Sequence, residues 1–180
     1  MASTTTRLTI DDFERLPYEE TRGRELVDGE LVEVSGNNPE HIFIRDLMIE
    51  LLRPILRKGQ LGRVLSKQEY DFGGDVHGPD ISLFGADKVA LLNRKKRVQT
   101  FVPDFVIEIA SPSDTLENLA RKKDRYRRSG TAEVWLISPE DHLVYVYSDE
   151  RKLILSGTDQ LSTPLIPGFS IAVEDLFDQD

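Results

Sequence analysis

Two short apolar runs, Phe105-Val106-Ile107-Glu108-Ile109-Ala110 and Glu133-Val134-Trp135-Leu136-Ile137, frame a charged stretch of helical character. Runs of this length, rich in β-branched and aromatic residues, read as buried strands. Asp114 or Ser113 can cap the helix between them, expected over about 115–129, and Gly130 stops it. Strands outnumber helices in the rest of the chain, and one helix joins these two. The pattern is that of an α/β fold, a mixed β-sheet flanked by helices. Glu108 is an anomaly within the first run. An ionised carboxylate in a low-dielectric interior is costly unless it is paired or binds a metal.

The flanking sequence supplies further elements. Thr9 caps a short helix with Ile10, Phe13 and Leu16 as its apolar stripe, and Asp28-Gly29 is a hairpin turn between Leu26-Val27 and Leu31–Val34. Pro39 opens a helix running to about Lys58, which Pro54 is expected to kink or shorten. Strands are predicted at about 61–70 and 80–84, with a helical turn over 86–92. A hairpin follows from His142–Tyr147 to Leu153–Leu155, and the tail Ile171–Phe177 ends in a helical turn.

A length of 180 residues favours one domain, 1–180, with a real core. No apolar run approaches a membrane span, and the opening MASTTTRLTI has no signal-peptide core, so a cytoplasmic location and no membrane partner are expected. The absence of cysteine excludes disulfides and thiolate metal sites. A net charge of −9 argues against nonspecific affinity for nucleic acid. The cations are nonetheless grouped, in Arg94–Arg97 and again over 121–128, and solvated surface is the simplest reading of each block.

Alternation along the strands brings chemistry together. Asp104, Val106, Glu108 and Ala110 share one face, and Asp80 shares a face with Ser82. Pro79 cannot donate a ladder hydrogen bond, so Asp80 belongs at a strand start or a distortion. If the two strands pair, Asp80 and Glu108 converge. Their repulsion would raise a pKa unless a cation intervenes, and Mg²⁺ or Mn²⁺ is the natural one. Asp104 lies ~13 Å from Glu108 along the strand, too far to share an ion, and reads as a strand-start residue.

This constellation resembles the PD-(D/E)-x-K nuclease superfamily, with Pro79-Asp80 and Glu108 matching its two acids. The superfamily's lysine, two residues beyond the second acid, is replaced by Ala110. More of the chain is similar to the Uma-two family, bacterial proteins of restriction-endonuclease-like fold. The similarity lies in GRELVDGELVEVS, in His41 opening a helix, in GPDISLF, in PDFVIEIASPSDTLENLARKKDRYRRSGTAEVWLISPE and in PLIPGFSIAVEDLF. In that family the lysine has moved to the following helix, four residues before a tyrosine, and Tyr126 makes that position Lys122. The resemblance implies a metal-dependent nuclease acting on DNA. Asp80, Glu108 and Lys122 would be catalytic, and Asp80 and Glu108 would be ligands of Mg²⁺ or Mn²⁺. Glu25 matches a recurrent family acid and is a further candidate ligand. A homodimer would let such an enzyme cut both strands. The alternative is a non-catalytic nuclease-like binding or scaffold domain.

Helical periodicity dissents on the lysine. At ~100° per residue, Leu116, Leu119, Ala120, Lys123 and Tyr126 cluster on one face, which turns Lys123 inward more directly than Lys122. Glu108 has a plain alternative as a buried acid paired with Lys or Arg. Asp80 could be a turn residue after Gly78-Pro79, Glu25 a surface acid, and His41 a helix-end packing or capping residue. His77 neighbours Asp80 without a partner at metal-motif spacing, and His142 is expected to be exposed. Trp135, Tyr145 and Tyr147 read as core or sheet residues, and Ser111 and Ser113 as turn and cap residues.

Overall fold

The computed structural model describes residues 7–34, 38–112 and 114–178. The chain opens with two short helices, α1 (Ile10–Arg15) and α2 (Tyr18–Thr21), and a hairpin of β1 (Arg24–Val27) and β2 (Glu30–Glu33). The long helix α3 (Pro39–Gly59) leads into β3 (Gly62–Ser66), β4 (Glu69–Asp71), β5 (Val76–His77) and β6 (Ile81–Gly85). A 3₁₀ turn (Ala86–Leu91) and β7 (Val98–Gln99) precede the unit β8 (Phe105–Ile109), α4 (Leu116–Arg128) and β9 (Glu133–Ser138). The hairpin of β10 (Leu143–Ser148) and β11 (Lys152–Ser156) follows. The chain closes with β12 (Gln160–Leu161), β13 (Ile171–Ala172) and a 3₁₀ turn, Glu174–Leu176.

The main sheet has six strands in the order β11-β10-β9-β8-β6-β3. β8 and β9 run parallel, bridged by α4, while the other neighbours are antiparallel, which makes the sheet mixed. One face packs on α3: Ile44, Met48, Leu52 and Leu56 meet Ile81, Leu83, Phe105, Ile107 and Trp135. The other face carries Phe84, Val106, Val134 and Leu136 against Tyr126 of α4 and against Tyr70, Phe72 and Phe101. Fully burying an aromatic or large aliphatic side chain contributes ~1.5–3 kcal/mol. The two faces therefore fix the register of every central strand, since a slip of one residue would exchange them. A second sheet, ordered β2-β1-β5-β4-β7, lies beside the α4 layer over a small core of Phe13, Leu26, Val76 and Val98.

Local chemistry explains the boundaries. Thr9 and Asp12 form a reciprocal capping box on α1. Asp28 (φ 51°) and Gly29 (φ 80°) both adopt the left-handed conformation that a two-residue hairpin turn requires. The α4 cap is Thr115, whose hydroxyl accepts from the Asn118 amide, rather than Asp114. Ser113 and the side chain of Leu116 lie outside the described residues.

Two expectations are corrected. Pro54 does not shorten helix α3, which runs on to Gly59. Pro54 and Glu50, whose carbonyl the proline leaves without a helical donor, both lie on the exposed face, where water substitutes for the lost bond. The single strand predicted over 61–70 is two strands in different sheets. The break is at Lys67, where φ is 53° and the backbone N–H donates to the carbonyls of Pro79 (3.1 Å) and Asp80 (3.4 Å). A left-handed conformation costs a non-glycine residue about 1–2 kcal/mol.

No described helix is long and apolar enough to cross a membrane.

Candidate functional site

Strands β6 and β8 pair in a register that sets Ile81 opposite Ile107 and Ser82 opposite Val106. One residue further, Asp80 stands opposite Glu108. Glu108 faces α4, where the Tyr126 hydroxyl reaches it, while Asp80 meets His41 at the start of α3, and Asp80 and Glu108 are almost fully buried, at 2% and 4% exposure. Asp104, at the other end of β8, accepts from the Gly85 amide (2.7 Å) and pairs with Lys88 (2.5 Å), apart from this cluster.

The two acids have different surroundings. Asp80 Oδ1 meets Nε2 of His41 at 3.0 Å and Nζ of Lys67 at 2.5 Å, and Asp80 Oδ2 accepts from the Ile109 amide at 2.8 Å. Burial opposes its ionisation, but the His41 hydrogen bond and the Lys67 charge hold it well below the usual carboxylate range. Glu108 receives one hydroxyl, from Tyr126 at 2.5 Å, while its nearest ammonium, Lys122, stands 4.0 Å away. Burial pushes Glu108 up to about 7, and the Asp80 carboxylate adds to that push against the Lys122 charge. Glu133 makes the contrast plain. It too is a buried strand acid, but it is bonded to Arg151 at 2.8 Å and to the Trp135 indole at 2.7 Å. Glu133 is thus closely paired, whereas the Glu108 pair with Lys122 is stretched to 4.0 Å.

Helix α4 supplies the cations. Lys122, Arg125 and Tyr126 are spaced i, i+3 and i+4 and so share a face. Lys122 Nζ lies 3.2 Å from Glu25 Oε2 and 4.0 Å from Glu108 Oε1. Burial disfavours its charge, but Glu108 and Glu25 raise its pKa above the usual lysine value. Lys123 points elsewhere, pairing with Asp124 (2.6 Å) and lying 4.8 Å over the Tyr147 ring. Its stem satisfies the apolar periodicity without reaching the acids.

Glu25, on β1, belongs to the same cluster but is engaged with donors. Its Oε2 receives His77 Nδ1 at 2.9 Å, and its Oε1 receives the Gly78 amide at 3.2 Å. Burial opposes ionisation of Glu25, and the His77 bond and the Lys122 charge outweigh it, holding the group at about 2. Sequence reasoning missed Lys67, the Tyr126 hydroxyl as partner of Glu108, and the roles of His77 and Arg125 beside Glu25. The i, i+4 spacing of Lys122 and Tyr126 was a usable signal for the hydroxyl. Lys67 gave none, because a left-handed residue broke what read as one strand. His142, as expected, is exposed, and it stacks on Phe177.

The cluster is short of positive charge at Glu108. A divalent cation bound by Asp80 and Glu108 would neutralise the pair, and Lys67, 43% exposed at the end of a flexible chain, can swing away from Asp80 to admit it. Among the described residues no three His, Asp or Glu side chains converge as a ready ligand set. An ion here would draw its other ligands from water and phosphate, as Mg²⁺ commonly does. On those terms the residues fit a hard cation.

Residues 10–174 match the family model Uma2, described as "Putative restriction endonuclease". The crystal structure of a "putative nuclease belonging to DUF820 from Anabaena variabilis ATCC 29413" aligns with a TM-score of 0.84, covering 94% of this chain and 97% of that chain at 21% identity. This likeness carries the fold, which is restriction-endonuclease-like. No curated protein matches the chain.

Proposed function

This chain belongs to the Uma2 family, and from that premise we propose that it is a metal-dependent nuclease hydrolysing phosphodiester bonds of DNA, built as one domain over 1–180. One observation carries this reading: Asp80 and Glu108 lie together where β6 and β8 meet, Asp80 bonded to the Ile109 amide next to Glu108, and the Lys122 ammonium stands 4.0 Å from Glu108 although the strand position two residues on is Ala110. A helix thus delivers the charge that the strand lacks.

Asp80 and Glu108 would hold Mg²⁺ or Mn²⁺. The ion, when bound, lowers the pKa of a coordinated water and neutralises charge on phosphoryl oxygens. The chain's own groups do the rest. Tyr126 orients the Glu108 carboxylate by donating to Oε1. Lys122, kept protonated by its carboxylate neighbours, presents a fixed positive charge to the phosphate as negative charge develops on its oxygens. Lys67, once off Asp80, is a second cation within reach of the same phosphate.

A basic surface lies along β3, apart from the acids. Two adjoining cavities of about 410 and 400 Å³ share Arg63 and Val89, and Arg57, Arg94 and Lys96 complete their basic lining. They run along β3, the edge strand of the main sheet, and reach Gln68, the neighbour of Lys67. On the nuclease reading, a nucleic-acid backbone would meet these cations even though the chain carries a net charge of −9. A duplex cut on both strands would engage two copies.

The test is cleavage of duplex and single-stranded DNA with Mn²⁺ or Mg²⁺, together with calorimetry of Mn²⁺ binding. Cleavage and binding that both disappear on Asp80→Asn and Glu108→Gln support the nuclease. One observation favours the scaffold reading: Lys67, His41 and the Ile109 amide already satisfy Asp80 without metal. A parent protein that binds no Mn²⁺ and cuts no DNA would establish it.

A further inference from the structure

Glu25 is the odd member of the cluster. If it were a ligand, its oxygens would need free lone pairs directed at the Asp80–Glu108 face. Instead each oxygen has two donors. Oε1 is 3.2 Å from the Gly78 amide and 3.4 Å from Lys122, and Oε2 is 2.9 Å from His77 and 3.2 Å from Lys122. The carboxylate is spent on fixed protein donors, and the one mobile group among them is Lys122.

The donors are themselves anchored. Arg125 NH1 approaches His77 Nε2 at 3.2 Å. A guanidinium has no acceptor and does not lose its proton, so Nε2 must be the accepting nitrogen. That fixes the roles of the ring: Nε2 accepts from Arg125, and Nδ1 donates to Glu25. The same NH1 has a second hydrogen for Asp75 Oδ2 at 2.6 Å, and Asp75 Oδ1 receives the Asp28 amide at 2.7 Å. Tyr126 packs edge-on against the His77 ring at 5.7 Å between centroids, which blocks rotation of the imidazole. The chain of contacts thus runs from the β1–β2 turn through Asp75, Arg125, His77 and Glu25 to the Lys122 ammonium.

We infer that Glu25, His77 and Arg125 are positioning residues that hold the Lys122 ammonium against the Asp80–Glu108 pair, and that Glu25 is not a metal ligand. A lysine side chain loses up to about 2 kcal/mol of rotamer freedom when ordered. Here the folded chain meets that cost before any substrate arrives. Without Glu25, the ammonium would have, among the described residues, Glu108 as its close partner at 4.0 Å and would be free to sample solvent through its exposed quarter. The structure also explains why the anchor is histidine. It must accept from an arginine on one side and donate to a carboxylate on the other, across a ring too rigid to misdirect either bond.

The inference deepens the nuclease reading, yet its decisive test needs no nucleic acid. Lysine ammonium groups held in buried ion pairs exchange slowly and give observable ¹H–¹⁵N correlations. The parent protein, in chelator, is expected to show one such signal that is absent from Lys122→Met. Glu25→Gln and His77→Leu should lose it. His77→Gln should keep it, because a side-chain amide can accept from Arg125 and donate to Glu25. The second arm is Mn²⁺ calorimetry: Glu25→Gln should bind within about threefold of the parent, whereas Asp80→Asn should weaken binding at least about tenfold. Survival of the Lys122 signal in folded His77→Leu or Glu25→Gln would overturn the positioning role. A loss of Mn²⁺ affinity in Glu25→Gln equal to that in Asp80→Asn would make Glu25 a ligand and overturn the inference from the other side. If the parent cleaves no DNA, the nuclease reading fails while the ammonium result still decides this one.

Discussion

Asp80 stands opposite Glu108 at the end of the β6–β8 ladder, yet the first carboxylate has three donors and the second has one hydroxyl. The two acids should therefore respond in opposite ways to losing their charge.

Glu108 is the acid that the fold tolerates poorly when ionised. Its pKa rises from 4.5 in an unfolded chain to about 7 in the folded one. Between those values the folded state holds the extra proton, so stability falls as pH rises from about 4.5 to 7 and stays low above it. The loss reaches about 3 kcal/mol by pH 8. Glu108→Gln should remove this decline and exceed the parent in stability at pH 8. Urea unfolding of both proteins in chelator at pH 5, 6, 7 and 8 measures the difference. A variant less stable than its parent at pH 8 contradicts the assignment.

Asp80→Asn should destabilise instead, by ~1–3 kcal/mol, because the bonds from His41 and Lys67 weaken and Lys67 loses its counter-ion. Lys67 can escape to water, which keeps the cost below that of a fully buried broken pair. The same urea series reads it, and an unchanged midpoint would show that the contacts to Asp80 contribute nothing to folding.

Lys122→Met should cut the rate of phosphodiester cleavage by ~10²–10³ and leave Mn²⁺ affinity near the parental value. Lys123→Met should cleave like the parent, since that ammonium faces Asp124 and Tyr147. Single-turnover assays with Mn²⁺ separate the two. Equal rates for parent and both variants would leave neither lysine to replace the one missing at Ala110.

Arg63→Ala and Arg94→Ala should each weaken DNA binding and lower the slope of log affinity against log salt by about 1. Titrations in the Lys122→Met background, across a series of salt concentrations, avoid cleavage. Unaltered slopes would move the nucleic-acid path away from β3.

Much of this site could be read from the chain because it rests on short-range rules. The change of period from strand to helix and back revealed β8, α4 and β9. Alternation of faces put Asp80 and Glu108 together. The lysine was harder, since periodicity identifies one inward direction, whereas α4 packs on two neighbours at once. The main sheet takes Tyr126 and the stem of Lys123, and the N-terminal hairpin takes Lys122. Of the second sheet only the hairpin at Asp28-Gly29 was legible, and the rest was hidden for a different reason. Its strands have two to four residues, too few for a pattern, and what defines them is long-range pairing. Lys67 combined both difficulties, a left-handed residue at the point where the chain changes sheets.

The β1–β2 hairpin joins the remainder of its sheet through one ladder pair, Leu26 with Val76. Its hold on the molecule also includes the small core around Phe13, the contacts of Glu25, and the Asp28 amide bonded to Asp75. Such a unit can detach while the six-stranded sheet stays closed, so its amide protons should exchange with solvent deuterium well before those of β8 and β9. Every detachment withdraws Glu25 and unmoors Lys122. The exchange rate of the β1 amides should then be a clock for how often Lys122 loses its anchor, set by residues that touch neither Asp80 nor Glu108.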